Sequence, residues 1–161
     1  MRQREQQRFT QWFIWVLLIF VLVMAAVAKY YTYYLKEPFG NALPTDELLR
    51  VSDYALAAVL LIFMSARLIT EVDEKELRFK YLPFIPWWQR YPWDEMESFE
   101  VVDYDPLDEF LGWGIRYNFK TWCYNVKGNK GLRIKMKSGK QVLIGTQKPE
   151  AYAHLSKRMA Q

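Results

Sequence analysis

The N-terminal part of the chain is dominated by one long apolar run. No charged residue stands between Arg8 and Lys29, and residues 13–28 read FIWVLLIFVLVMAAVA. A helix needs about 20 apolar residues to cross the hydrocarbon of a membrane. Tryptophans precede the run and tyrosines follow it, as at the two interfaces of a spanning helix. The pattern predicts a transmembrane helix over residues 9–35, with cleavage as a signal peptide after Ala28 as the alternative.

A second, weaker apolar segment follows a loop that contains proline and glycine. Residues 54–66 are uncharged, and Arg67 stands close enough to the end to extend toward lipid headgroups. Thr45 is a suitable N-cap, because two acidic residues come directly after it. We therefore expect a helix over residues 45–70 that completes a transmembrane hairpin within residues 1–70. The alternative is an amphipathic helix that lies on the membrane.

From Glu71 onward, apolar residues alternate with polar ones, which is typical of half-buried strands. The clearest hairpin joins residues 132–137 and 140–146 through Ser138-Gly139. Pro149 fits the first turn of a C-terminal helix over residues 149–160. We expect residues 71–161 to form one domain of six or seven antiparallel strands. The other candidate strands are residues 77–81, 87–91, 96–104, 114–119 and 122–126.

Composition and charge reduce the number of functional classes that fit the chain. The chain contains one cysteine and one histidine, so a disulfide framework and a cysteine-based zinc site are excluded. Residues 71–110 have a net charge of −8 and residues 111–161 a net charge of +10. These segments either compensate each other or present a basic face to anionic lipid or an acidic partner. We expect no cofactor, no metal, no catalytic residue and no nucleic acid partner.

Lysine and arginine counts near the helix ends predict the orientation. Arg2, Arg4 and Arg8 precede the first helix, and several basic residues follow the second. This bias favours both termini in the cytoplasm. We expect a multi-pass membrane protein with a cytoplasmic β domain.

Several motifs resemble those of bacterial PH-like domains, which often follow transmembrane helices. They are residues 91–101 (YPWDEMESFEV), 112–116 (GWGIR), 124–131 (YNVKGNKG) and 142–150 (VLIGTQKPE). The resemblance covers about residues 65–160. It implies an α+β protein of the bacterial inner membrane in which a PH-like antiparallel β-barrel is capped by a C-terminal helix. It implies neither phosphoinositide binding nor any established site residue.

The candidate contact residues are mainly basic. One strand carries Arg133, Lys135 and Lys137 at period two, and Arg78 with Lys80 could join them on one face. Lys127 and Lys130 lie in a glycine-containing segment that predicts either a tight turn or a headgroup contact. For the strand residues, the alternative is an ordinary solvated face paired with acidic residues.

Two aromatic motifs complete the candidates. Trp87 and Trp88 could anchor the domain at the membrane interface or pack against the core. Gly112, Trp113, Gly114 and Arg116 predict either a ligand-facing loop or a corner of the fold.

Together these patterns predict a non-enzymatic membrane protein whose β domain binds or scaffolds a membrane-protein partner or a second copy of the chain. The alternative is a sensor of anionic lipid headgroups that uses the basic strand face.

Overall fold

The computed structural model of the chain describes residues 3–36 and 46–159. It divides into two compact units. The helical unit is Thr10–Ser65, and the β unit combines Met1–Phe9 with Ala66–Gln161. The β unit is therefore discontinuous in sequence, because the helical unit is inserted into it.

The helical unit contains two long helices, α1 (Trp12–Tyr30) and α2 (Asp46–Ser65), and α1 continues into a π-helical turn, Tyr31–Leu35. Both are long and apolar enough to cross a membrane, and only 6% of the most apolar window of each is buried. Lys29 of α1 forms an ion pair with Asp53 of α2, which neutralises a charge at the start of the second apolar run. The predicted loop 37–44 and N-cap Thr45 lie outside the described residues.

The β unit contains nine described strands and two further helices. The first sheet, which we call sheet A, has the order β1-β2-β3-β4, and the second, sheet B, has the order β5-β8-β9-β7-β6. The strands are β1 (Gln3–Arg8), β2 (Arg67–Val72), β3 (Glu76–Leu82), β4 (Ile85–Pro92), β5 (Met96–Asp103), β6 (Gly114–Tyr117), β7 (Thr121–Asn125), β8 (Lys130–Met136) and β9 (Gln141–Gly145). The helices are α3 (Pro106–Phe110) and α4 (Pro149–Met159).

The inner faces of the two sheets share one core. Leu77 and Phe79 of β3 are fully buried, and they pack in the same cluster as Phe99 and Ile134 of sheet B. Tyr152 of α4 also joins this cluster. The alternation that predicted β3 is therefore confirmed as its inward-facing pattern, and the predicted C-terminal helix is confirmed over Pro149–Met159.

A smaller core covers part of the outer face of sheet B. Tyr104 and Phe110 pack there against Cys123 and Leu143. Helix α3 begins at an N-cap, Asp105, whose carboxylate accepts hydrogen bonds from the backbone N–H groups of the next turn. The acidic residues around it, which could suggest metal chemistry, thus include one that caps a helix.

The structure corrects three expectations. The sheets do not close into a barrel, and β7 pairs with β9 in parallel, so sheet B is mixed rather than antiparallel. The second helix ends at Ser65, because the residues after it pair as β2 in sheet A. The predicted boundary between residues 70 and 71 consequently falls inside β2.

The N-terminal residues before the first helix form a strand that composition did not suggest. β1 reads QREQQR and pairs with the whole of β2, from Gln3 opposite Val72 to Arg8 opposite Arg67. Its polar side chains hid it from a search for apolar alternation.

Candidate functional site

A row of charged side chains crosses the outer face of sheet A. Arg4, Glu71, Arg78 and Arg90 are neighbours in register on the four strands. Glu71 is only 3% exposed and accepts hydrogen bonds from Nη2 of Arg78 at 2.9 Å and from its Nε at 3.1 Å. The hydrogen bond to Glu71 raises the pKa of Arg78. Arg78 is therefore held against the outer face of sheet A by Glu71.

The basic residues of β8 pair with the acidic segment that precedes them in the chain. Lys130 lies 3.5 Å from Asp103, Arg133 lies 3.6 Å from Glu109, and Lys135 lies 2.5 Å from Glu97, measured between nitrogen and oxygen. These ion pairs are exposed and each adds at most about 1 kcal/mol to stability. They nevertheless compensate the charge of the strand face.

The predicted basic residues do not converge on one surface. Arg78 and Lys80 alternate with the core residues of sheet A, whereas Arg133 and Lys135 alternate with those of sheet B. Since the inner faces of both sheets share one core, their outer faces point in opposite directions. The prediction that Arg78 and Lys80 could join the three cations of residues 133–137 on one face is therefore wrong.

Two further lysines among the predicted contact residues, Lys137 and Lys127, occupy turns. Nζ of Lys137 donates to the carbonyl of Asp94 at 2.6 Å, which ties the β8–β9 turn to a 3-10 turn, Trp93–Glu95. Lys127 is exposed between β7 and β8.

The two adjacent tryptophans of β4 have different surroundings. Trp88 is half-buried beneath two cations, since Arg78 and Lys80 each lie 4.9 Å from its ring centroid. Trp87 is 62% exposed. Only Trp87 therefore presents most of its ring to the exterior.

The loop at Gly112–Gly114 is part of the scaffold. Both glycines have positive φ, 122° and 116°, which a residue with a side chain rarely adopts. The indole N–H of Trp113 donates to the carbonyl of Gly128 at 3.2 Å, so this loop is joined to the turn that carries Lys127. The amide of Gly114 donates to the buried side chain of Asn125 at 2.8 Å. These contacts favour the interpretation as a corner of the fold.

Sequence analysis missed a row of aromatic rings that runs from the core to the exterior. Buried Phe79 lies 4.6 Å from Tyr124, whose ring stacks on Trp122 at 6.3 Å. Trp122 stacks on Tyr117 at 4.8 Å, and Tyr117 lies 6.2 Å from Phe119, all measured between ring centroids. The available signal was Tyr117 and Phe119 on either side of Asn118, followed by Trp122 and Tyr124 two residues apart.

The outer end of this row forms an exposed aromatic patch, which we define as Tyr117, Phe119 and Trp122. Phe119 is 94% exposed and has a positive φ of 63°. Bulky side chains rarely adopt that conformation, and strain of this kind is often found at binding sites. Asn118 holds the turn by accepting a hydrogen bond from the amide of Thr121 at 2.9 Å.

Two cations are neighbours of the patch in the sequence, and one of them, Arg116, is in register with Cys123 and so lies on the face of β6 opposite to Tyr117. Arg116 and Lys120 are both exposed, and no carboxylate in the described part of the chain lies within ion-pair distance of either. Of the predicted loop residues, Arg116 is thus the one that borders an open surface.

A buried polar contact attaches β1 to the end of sheet B. Glu5 is 4% exposed, and its carboxylate accepts hydrogen bonds of 2.7 Å from the Thr146 hydroxyl and from the Gln147 amide. Gln7 donates to the carbonyl of Gly145 at 2.6 Å. Burial, and then the Glu5 carboxylate, raise the pKa of Tyr152 beside them. This contact is structural, since it joins β1 to the start of α4.

Two further findings concern metal-ligating and nucleophilic side chains. Among them, no three side chains of His, Cys, Asp or Glu are grouped so that they could hold a metal. Burial, and then Glu109, raise the pKa of Cys123 to about 12, so its thiol is protonated and unreactive at neutral pH.

Comparison of the chain with protein-family models, curated proteins and solved structures gives no match. The resemblance to PH-like domains therefore stays a prediction, and function must be argued from the geometry.

Proposed function

We propose that this chain is a membrane-anchored protein-binding module. Its helical unit holds the β unit at a membrane, and the exposed aromatic patch beside β6 receives an extended, acidic segment of a membrane-protein partner. The observation that carries the proposal is the row of rings that leaves the core and ends in a strained, exposed turn that also carries Lys120.

The arrangement of the chain supports anchoring by a hairpin. Arg8, which precedes α1, pairs with Arg67, which follows α2. The helical unit therefore leaves and returns to the same sheet, so an even number of crossings fits this fold. This agrees with the predicted cytoplasmic position of both termini in a bacterial inner membrane.

The position of β6 supports recognition of an extended segment. β6 is the last strand of sheet B and pairs with β7 alone among the described strands. The free N–H and C=O groups of an edge strand can pair with a strand from another protein. Aromatic residues are enriched where proteins bind each other, and Arg116 and Lys120 favour a segment that carries carboxylates.

The alternative function, a sensor of anionic lipid, needs a free basic face. Arg78, Lys130, Arg133 and Lys135 instead have acidic partners. Exposed pairs can open, but lipid binding at this face must then compete with each pair. A protein partner at the patch is the function that the geometry supports better.

Site-specific photo-crosslinking in native membranes tests the proposal. A photoreactive phenylalanine at position 119 of the full chain is expected to give a discrete protein adduct. Charge reversal by Arg116→Glu with Lys120→Glu is expected to remove that adduct. The matched control is Lys135→Glu with Lys130→Glu, which reverses two charges on the paired face and is expected to leave the adduct unchanged.

Two outcomes contradict the proposal. One is the absence of any protein adduct at position 119 in membranes that contain the folded chain. The other is loss of the adduct only in the control pair, which would favour the lipid-facing alternative.

A further inference from the structure

One end of sheet A is defined by three residues in register. Arg8 pairs with Arg67, and Arg67 pairs with Leu82. Strands β1 and β2 connect to the helices at this end, and β3 turns there into β4. The β3–β4 turn, residues 83–84, therefore lies at the end of the sheet from which both helices depart.

The segments that connect this end of sheet A to the two helices are short. Helix α1 begins at Trp12 and α2 ends at Ser65. An extended residue spans at most about 3.6 Å, so the linkers reach about 14 Å from Arg8 and about 7 Å from Arg67. Neighbouring strands are about 4.8 Å apart, so β3 and β4 lie within about 10 Å of β2 along the sheet.

The turn at this end is apolar and exposed. Phe84 is 54% exposed and Trp87 is 62% exposed. No charged residue stands between Lys80 and Arg90. Aromatic rings with basic residues behind them are typical of protein surfaces that enter the headgroup region of a bilayer.

The second exposed phenylalanine lies at the opposite end of the β unit. Phe119 lies two residues before Thr121, the first residue of β7, which pairs with Gln141 of β9. Next to Gln141, Lys140 lies over the ring of Tyr91, and Tyr91 pairs with Leu77 at the end of sheet A farthest from Arg67. Phe84 and Phe119 are thus two exposed rings in turns at opposite ends of the β unit, and Phe84 is at the end where the chain passes to and from the helical unit.

We propose that the β3–β4 turn inserts Phe84 and Trp87 into the interfacial region of the lipid bilayer as a third contact beside the two helices. This inference rests on the proposed membrane anchoring. The contact holds this end of sheet A at the bilayer surface, and the exposed aromatic patch lies at the opposite end of the β unit. Trp88, which is covered by two cations, takes no part in it.

An environment-sensitive fluorophore at single positions tests this inference. Phe84→Cys and Phe119→Cys are labelled in the full chain with a nitrobenzoxadiazole probe, since buried Cys123 is unreactive in the folded state. Each protein is placed in nanodiscs of neutral phosphatidylcholine, with and without spin-labelled lipid. The probe at position 84 is expected to emit at shorter wavelength and to be quenched several-fold more by spin-labelled lipid than the probe at position 119.

The outcomes separate the two proposals. Water-like emission and equal quenching at both positions, in a chain that is stably incorporated in the nanodisc, overturn the inference alone. Failure of the unlabelled chain to incorporate overturns the anchoring as well. Protection of Cys123 in both variants verifies that each is folded.

Discussion

The two units of this protein differ in where their apolar side chains lie: they are mostly exposed in the helical unit and mostly buried in the β unit. In the helical unit, Leu17, Phe20 and Leu61 are each at least 60% exposed. In the β unit, Leu77 and Phe79 are fully buried. A helix with apolar residues around its circumference requires an apolar environment, whereas the β unit makes its own. The difference teaches that one mean hydropathy value for the chain describes neither unit.

The units also differ in continuity. The helical unit is one uninterrupted segment, whereas the β unit is assembled from both sides of it. Residues 71–161 alone lack β1 and most of β2, so they are not a folding unit that can be tested separately. Experiments on the β unit therefore require the full chain.

Of the predicted effects, alkaline pH is expected to give the largest difference in stability between the two units. Burial is the main cause that raises the pKa of Cys123 to about 12 and also raises the pKa of Tyr81, Tyr91 and Tyr104. Each group contributes fully to the free energy of unfolding below its pKa in the unfolded chain, which is about 8.5 for the thiol and about 10 for tyrosine. Above that pKa, the free energy of unfolding falls by about 1.4 kcal/mol per pH unit for each group. Near-ultraviolet circular dichroism of the chain in nanodiscs is expected to be lost by about pH 11, while the far-ultraviolet helical signal remains.

The thiol can be isolated within this titration. Between about pH 8.5 and about pH 10 only Cys123 contributes a slope, because the tyrosines begin to ionise in the unfolded chain at higher pH. Cys123→Ala is therefore expected to flatten the pH dependence in that window, whatever its effect on absolute stability. An unchanged slope contradicts the prediction, as does simultaneous loss of the helical signal.

Glu5→Ala is expected to have the next largest effect, although Glu5 precedes both helices in the chain. The substitution leaves the Thr146 hydroxyl and the Gln147 amide without their acceptor, which costs about 3 kcal/mol. Opening of the β unit is measured by the rate at which Cys123 reacts with a thiol reagent. That rate is expected to rise about 100-fold, since each 1.4 kcal/mol is about a factor of ten.

Gln6→Ala is the matched control for Glu5→Ala. Gln6 lies on the same strand with its side chain exposed. Its substitution removes a similar number of atoms without breaking a buried contact, so the reaction rate of Cys123 is expected to change little. Equal rates for the two variants would show that β1 does not stabilise the β unit.

The periodicity of apolar and polar residues could predict the helices and strands that follow such a local pattern. The apolar run of α1 and the alternation of β3 are local patterns, and both structures formed where those patterns stand. β1 could not be found in this way, because Glu5 and Gln7 face polar groups that lie about 140 residues away in the chain. The end of α2 was misplaced for a related reason, since the residues after Ser65 join a sheet completed by β1.

The candidate site was harder to predict than the fold. Basic residues are visible in a sequence, but their ion pairs depend on which strand lies beside them, as for Lys135 and Glu97. The aromatic patch depends on how β6 and β7 pair, which brings Tyr117 opposite Trp122. From the sequence alone, the aromatic residues of the patch are candidates for the core. Their exposure depends on where the sheet ends, which the sequence does not give.

The smallest predicted effect concerns strain in the exposed aromatic patch. A bulky residue in the left-handed region costs about 1 kcal/mol, and asparagine tolerates that conformation better. Phe119 is 94% exposed, so its removal sacrifices little burial. Phe119→Asn is therefore expected to raise the free energy of unfolding by about 0.5 kcal/mol, measured through the Cys123 reaction rate, while abolishing partner binding at the patch.

Leu111 provides the control that distinguishes strain from function. It also has a positive φ, 58°, and is 86% exposed, but it ends α3 rather than belonging to the patch. Leu111→Asn is expected to give a similar gain in stability with partner crosslinking from Tyr117 unchanged. If both variants gain stability and only Phe119→Asn loses the partner, the strained phenylalanine is retained for binding. If neither gains stability, the turn at Phe119 is relaxed and its exposure alone must account for the docking surface.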